Sequence, residues 1–174
     1  MADSNAMDLL VAEIKAIMEK ARRQVAQRIN NAMLSTYWNI ERAIVEREQD
    51  GNLKAQYGTR LLQELSKRLT RELGKGYSRS NLQNMQLLYY EYPEICQIES
   101  DKLSWSHYVE LVYIKDPDAR LFYEHEFINA RWSVDELKRQ IGTSLFERLL
   151  LSDGQPNKEK VLTLAKQGAI FEIP

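Results

Sequence analysis

The chain has 174 residues, 44% of them hydrophobic and 28% charged, which suffices for a buried core in one domain or two small lobes. Seven Gly and four Pro are few for this length and argue against a turn-dense all-β fold. A net charge of −1 gives no global sign of nucleic-acid binding, and the single Cys96 excludes an internal disulfide or a cysteine-cluster metal site.

Residues 1–6, "MADSNA", read as a leader with a cloning scar, with Met7 as the native start. From Asp8 to about Gln49 there is no Gly or Pro. Leu10, Ile14, Ile17, Ala21, Val25, Ile29 and Ala32 trace one helical stripe, which Met33, Tyr37, Ile40 and Ile44 continue. Asn30-Asn31 is the natural place for a break, because Asn competes for backbone hydrogen bonds. The stripe over Leu10–Ile44 exceeds what a small lobe needs. Homo-oligomerisation and packing within the chain both remain open as its use.

"EQDGNL" around Gly51 interrupts the pattern, and Gly58-Thr59 offers a cap. A second helix runs to Leu73 on Leu61, Leu62, Leu65, Leu69 and Leu73. Gly74-Lys75-Gly76 closes it, since glycine takes the left-handed conformation readily. Ser78 or Ser80 caps the next helix. Ser80 and Gln83 have capping-box spacing, and Leu82, Met85, Leu88 and Tyr89 face inward until Pro93. "ICQIESDK" is a connector holding Cys96, which reads as a small buried hydrophobe.

Ser104 or Ser106 opens a helix through Ile114, and Asp116-Pro117 starts another that runs to about Ala130. Ser133 with Glu136 forms a capping box before one helix carrying Leu137, Ile141, Leu145, Phe146 and Leu149. Asp153 to Pro156 is a loop, and a short helix spans about Lys158 to Gln167 before the apolar tail "GAIFEIP". The fold class is all-α. Residues 7–50 form a long N-terminal helical segment, 51–155 a helix-turn-helix-like domain, and 156–174 a terminal helix and linker.

Two helices joined by a Gly-containing turn make a helix-turn-helix pattern. Between Arg60 and Arg79 lie six basic residues against two acids, a clustering suited to phosphate neutralisation. Lys67, Arg68, Arg71 and Lys75 are the candidate phosphate contacts. Arg79, Asn81, Gln83 and Gln86 are the candidate groove-facing residues, because Arg suits guanine edges and Asn or Gln adenine edges. The same pattern occurs in all-α proteins that never meet DNA. The second unit, "NARWSVDELKRQ", sets Lys138 and Arg139 beside Asp135 and Glu136 and reads as scaffold.

Pro117-Asp118 and Glu136-Leu137-Lys138 match, as letters, a metal-nuclease signature whose carboxylates sit on adjacent strands. Here both lie at helix starts, where acids serve as caps and dipole partners. His107 and His125 stand on separate helices without metal-ligand spacing. Trp105 and Trp132 read as core, whereas Tyr90 and Tyr92 could be core or stacking platforms. No residue is assigned a catalytic or metal-binding role.

"YGTRLLQELSKRL", "GKGYSRSNLQNMQLLYYEYP" and "LSWSHYVELVYIKDPDARLFYEHEFINARWSVDELKRQI" resemble, in order, the N-terminal region of the YhcG-like family of predicted PD-(D/E)XK nucleases. The resemblance spans about Ile40 to Leu149. It implies a winged-helix-like helical region that binds or positions double-stranded DNA for a C-terminal nuclease domain. That domain, with its carboxylates, lysine and Mg²⁺, is expected beyond Pro174, so no cofactor and no catalysis are assigned to this chain. A protein-protein interaction or oligomerisation module without DNA contact is the alternative reading. The lone cysteine and the lack of a signal or membrane-length apolar run predict a cytoplasmic location and no membrane partner.

Overall fold

The computed structural model describes residues 2–49, 60–95, 103–151 and 158–168. The Gly58-Thr59 cap, Cys96 with most of its connector, the Asp153–Pro156 loop and the tail after Gly168 lie outside the described residues. Those described form eight helices and no strand. They are α1 (Ala2–Gln49), α2 (Leu61–Leu73), α3 (Arg79–Glu91), α4 (Trp105–Leu111), α5 (Pro117–Ala130), α6 (Val134–Gly142), α7 (Leu145–Leu151) and α8 (Lys158–Gln167). The all-α expectation holds, but the wing of a winged helix needs a β-hairpin and has no counterpart among the described residues.

The first helix is continuous, and Asn30-Asn31 does not break it. Two Asn residues cost a few tenths of a kcal/mol each relative to better helix formers. Packing that begins one turn later outweighs this. Leu34 is buried, Tyr37 packs on Trp105 with ring centroids 4.6 Å apart, and Trp38 packs on Tyr89 at 4.9 Å. Every side chain from Met7 to Ala26 is exposed, so the helix leaves the body for about 30 Å.

In the body, α1 lies against α3 and α4, and α2 lies against α3. The remaining helices close around α5, which touches α4, α6, α7 and α8. Phe122 and Tyr123 of α5 are buried, and Phe122 contacts Phe146 at 5.2 Å. Trp105 and Trp132 pack against this core, as their spacing predicts.

One predicted helix is divided. The run carrying Leu137 to Leu149 stops at Gly142 and restarts at Leu145, with Ser144 left-handed at φ 52°. The buried Tyr123 hydroxyl compensates at the break. It donates to the Gln140 carbonyl at 3.3 Å and accepts the Phe146 N–H at 3.2 Å. Sequence periodicity carries no trace of this, because the replacement partner lies 17 residues upstream of Gln140.

The caps follow the sequence with two adjustments. Ser78, not Ser80, is the N-cap of α3: Ser78 is extended at ψ 156°, while Ser80 already lies in the helix. Asp116 caps α5 ahead of Pro117. Ser133 caps α6, but Glu136 turns its carboxylate forward to Arg139 and Gln140 instead of back to the cap. Ser104 opens α4 and donates its N–H to His107 Nδ1 at 3.0 Å, which gives that histidine a structural task.

Candidate nucleic-acid interface

Helix α2 is two-faced. At 100° per residue, Leu61, Leu62, Leu65 and Leu69 share one side and Arg60, Lys67 and Arg71 the other, with Arg68 at the border beside the buried Leu61. Lys67, Arg68 and Arg71 are all exposed. Leu73, assigned to the apolar face, is 62% exposed and adds nothing to the core. The chain turns at Gly74 and Gly76, with φ of 87° and 117°, values that L side chains rarely adopt. Lys75 is presented in this turn, exposed to solvent.

Two residues brace the turn against α3. The Ser78 hydroxyl accepts the Asn81 N–H at 3.2 Å, and the Asn81 side-chain amide donates to the Gly76 carbonyl. Asn81 is therefore half-buried and occupied with backbone. Leu82, Met85 and Leu88 are fully buried, which turns Arg79 and Gln83 outward and leaves Gln86 half-buried at the edge. The Asn84 carbonyl accepts from the Tyr113 hydroxyl at 2.6 Å, so its amide is also anchored. Tyr90 is 59% exposed on the outward side, while Tyr92 packs edge-on against Tyr108 at 4.9 Å and belongs to the interior.

The basic side chains are loosely held. Arg68 meets Glu64 at 2.9 Å and Arg71 meets Glu72 at 3.5 Å, in both cases in solvent. Such pairs are worth about 0–1 kcal/mol, so a phosphate could displace them at little cost. Lys67, Lys75 and Arg79 form no ion pair among the described residues. All eight predicted residues thus fall on α2, the turn or α3, but they are not equivalent: Lys67, Arg71, Lys75, Arg79 and Gln83 stand free or weakly paired, Arg68 is engaged with Glu64, Asn81 is committed to the turn, and Gln86 is partly covered.

A second basic feature was not foreseen. Arg139, Gln140, Thr143 and Arg148 line an open cleft where α6 passes into α7. It depends on the Ser144 break, which periodicity could not show. Arg139 is held by Glu136 at 2.7 Å, and hydrogen bonds from Arg139 and Gln140 keep the Glu136 carboxyl below its usual range.

The nuclease-like letters belong to local networks. Asp118 pairs with Lys158, Glu136 with Arg139, and Lys138 with Glu110 at 3.7 Å. Among the described residues no group of three His, Cys, Asp or Glu could hold a metal. Burial lowers the pKa of both His107 and His125, and His107 stacks on Phe127 at 4.1 Å. No described helix is long and apolar enough to cross a membrane.

The family model of the DUF1016 N-terminal domain matches residues 13–148, from the projecting helix into α7. The chain belongs to the DUF1016 N-terminal domain family. A relative from Escherichia coli (strain K12), "Putative nuclease YhcG", is 36% identical over 167 residues. The match covers 78% of this DUF1016 chain and 44% of that relative, so the chain spans less than half the relative's length. The resemblance to YhcG-like N-terminal regions is thereby shown. No solved structure matches the DUF1016 chain.

Proposed function

We propose that this DUF1016 domain positions a nuclease domain on double-stranded DNA, without catalysing the reaction itself. The carrying observation is the exposed basic side of α2, continued by Lys75 in the turn and Arg79 at the start of α3. Lys67, Arg68, Arg71 and Lys75 neutralise phosphates in this reading, while Arg79 and Gln83 reach base edges. Asn81 supports them by bracing the turn, and Gln86 contributes from the edge. Mg²⁺ and catalytic carboxylates belong to the nuclease domain that the relative's name suggests.

The test is fluorescence anisotropy of a labelled duplex of about 25 base pairs across a salt series. Binding should weaken steeply with salt. Arg71→Ala with Lys75→Ala should flatten the log–log slope by about 2, one for each lost phosphate contact. An unchanged slope would remove this face from the interface.

A second reading has its own support. Met7, Leu10, Ile14, Ile17, Val25 and Ile29 are each more than 45% exposed on the projecting half of α1. So large an apolar stripe in water marks a protein-interaction surface. This reading needs no DNA contact by the chain.

A further inference from the structure

The projecting half of α1 poses a physical problem. Most helical stability in proteins comes from packing an apolar face. From Met7 to Ala26 that face meets nothing in the described chain. Yet its spacing is regular. Met7, Leu10, Ile14, Ile17 and Ala21 step by 3-4-3-4, and Val25, Ile29 and Ala32 follow by 4-4-3. Such a seam suits two-stranded packing, with the heptad phase shifted near Ala21 by three successive four-residue steps.

The body does not use this seam. Leu34, Trp38 and Glu41, which turn into the body, lie about 130–170° around the helix from the line through Ile14, Val25 and Ala32. The stripe and the body contact are therefore separate surfaces, and both can be occupied at once.

Charge along the helix selects the partner and its direction. Met7 to Met18 carries Asp8, Glu13 and Lys15, an excess of one negative charge. Glu19 to Ile29 carries Lys20, Arg22, Arg23 and Arg28 against Glu19, an excess of three positive charges. Two copies side by side in parallel would set the basic halves against each other. Two antiparallel copies set each basic half against the partner's acidic half. We infer that α1 pairs with the α1 of a second copy as an antiparallel two-helix seam centred near Ile17 and Met18.

The register is bounded by the body. With the centre at Ile17–Met18, Leu10 lies opposite the partner's Val25, and Met7 opposite the region of Arg28 and Ile29. The partner helix thus reaches its own first turn before meeting Leu34, where the body begins. The two bodies stand at opposite ends of the seam and do not collide. Pairing over about six turns would cover on the order of 1,000 Å² in total, near the threshold for specific association. This inference deepens the interaction reading above and is independent of DNA binding. A chain that dimerises but ignores DNA keeps it and loses the other.

The experiment is sedimentation velocity of the whole chain from micromolar to hundreds of micromolar, followed by cysteine cross-linking. The wild type should approach the mass of two copies as concentration rises. Ile14→Asp with Ile17→Asp should sediment as one copy while its body retains a cooperative thermal transition. In a Cys96→Ser background, a short bismaleimide should join copies through Met18→Cys alone. It should not do so through Leu10→Cys alone, because those positions would lie about 24 Å apart. Leu10→Cys combined with Val25→Cys should restore the cross-link. A wild type that stays single at every concentration overturns the second copy as partner. Efficient cross-linking through Leu10→Cys alone overturns the antiparallel direction. A dimer that survives both aspartates overturns the seam.

Discussion

At the scale of single residues, the interior holds charge that hydropathy alone would place outside. Glu126 on α5 is 1% exposed, and its Oε1 has no hydrogen-bond partner among the described residues. Burial pushes its carboxyl from the ordinary 4.5 up to about 7. The native state therefore binds the proton more tightly than the unfolded chain, so stability falls as pH rises from about 4.5 through 7. Above that window Glu126 carries a penalty on the order of 3 kcal/mol. Glu126→Gln should raise unfolding stability by up to that amount near pH 8 and by about 1 kcal/mol or less near pH 5. Urea melts at the two pH values would decide it, and an equal effect at both would contradict the burial argument. Arg120, 7% exposed, contrasts with Glu126. It pairs with Glu91 and lies 5.7 Å from the centre of the Tyr92 ring, so its charge is partnered.

At the scale of elements, the α2–α3 turn shows how a recurrent sequence device serves two ends. The aromatic-Ser-Leu pattern appears at Tyr77-Ser78 and again at Trp132-Ser133, and both serines cap a helix. Only the first is preceded by glycines with positive φ, and only there does the turn carry a free lysine. A Cβ at Gly76 would meet nothing within 4 Å, so substitution there strains backbone alone. Gly76→Ala should cost about 1–2 kcal/mol. It should also weaken any DNA binding, because Asn81 braces the turn through the Gly76 carbonyl. A thermal melt and the anisotropy titration on the same protein would check both. Loss of binding without loss of stability would assign Gly76 to the contact itself.

At the scale of the whole molecule, α5 is the hub, and its interior aromatics set the stability of everything around it. Phe122 is fully buried between Tyr123 at 5.1 Å and Phe146 at 5.2 Å. Phe122→Ala should cost about 3–5 kcal/mol in urea unfolding. A value under about 1 kcal/mol would mean that α7 and α8 do not depend on α5. Asn129 adds a polar link, donating to the Ala165 carbonyl at 2.7 Å and so tying α5 to α8.

The helices themselves were legible residue by residue. Scarce Gly and Pro, the 3.6-residue spacing of Leu61–Leu69 and Leu82–Leu88, and the cap at Asp116-Pro117 are local signals that need no tertiary knowledge. The α8 bounds, Lys158–Gln167, follow from such signals too. The basic cluster on α2 was equally visible, since one helical face is a matter of spacing. What the sequence could not decide were outcomes set by distant partners. The Ser144 break depends on a hydroxyl from α5, and the division between Asn81 and Gln83 depends on which amide meets the Gly76 carbonyl. The fate of the α1 stripe was undetermined for the same reason. Periodicity records that a face is apolar, but only packing determines which face the body takes, and the body takes the side of Leu34, Trp38 and Glu41.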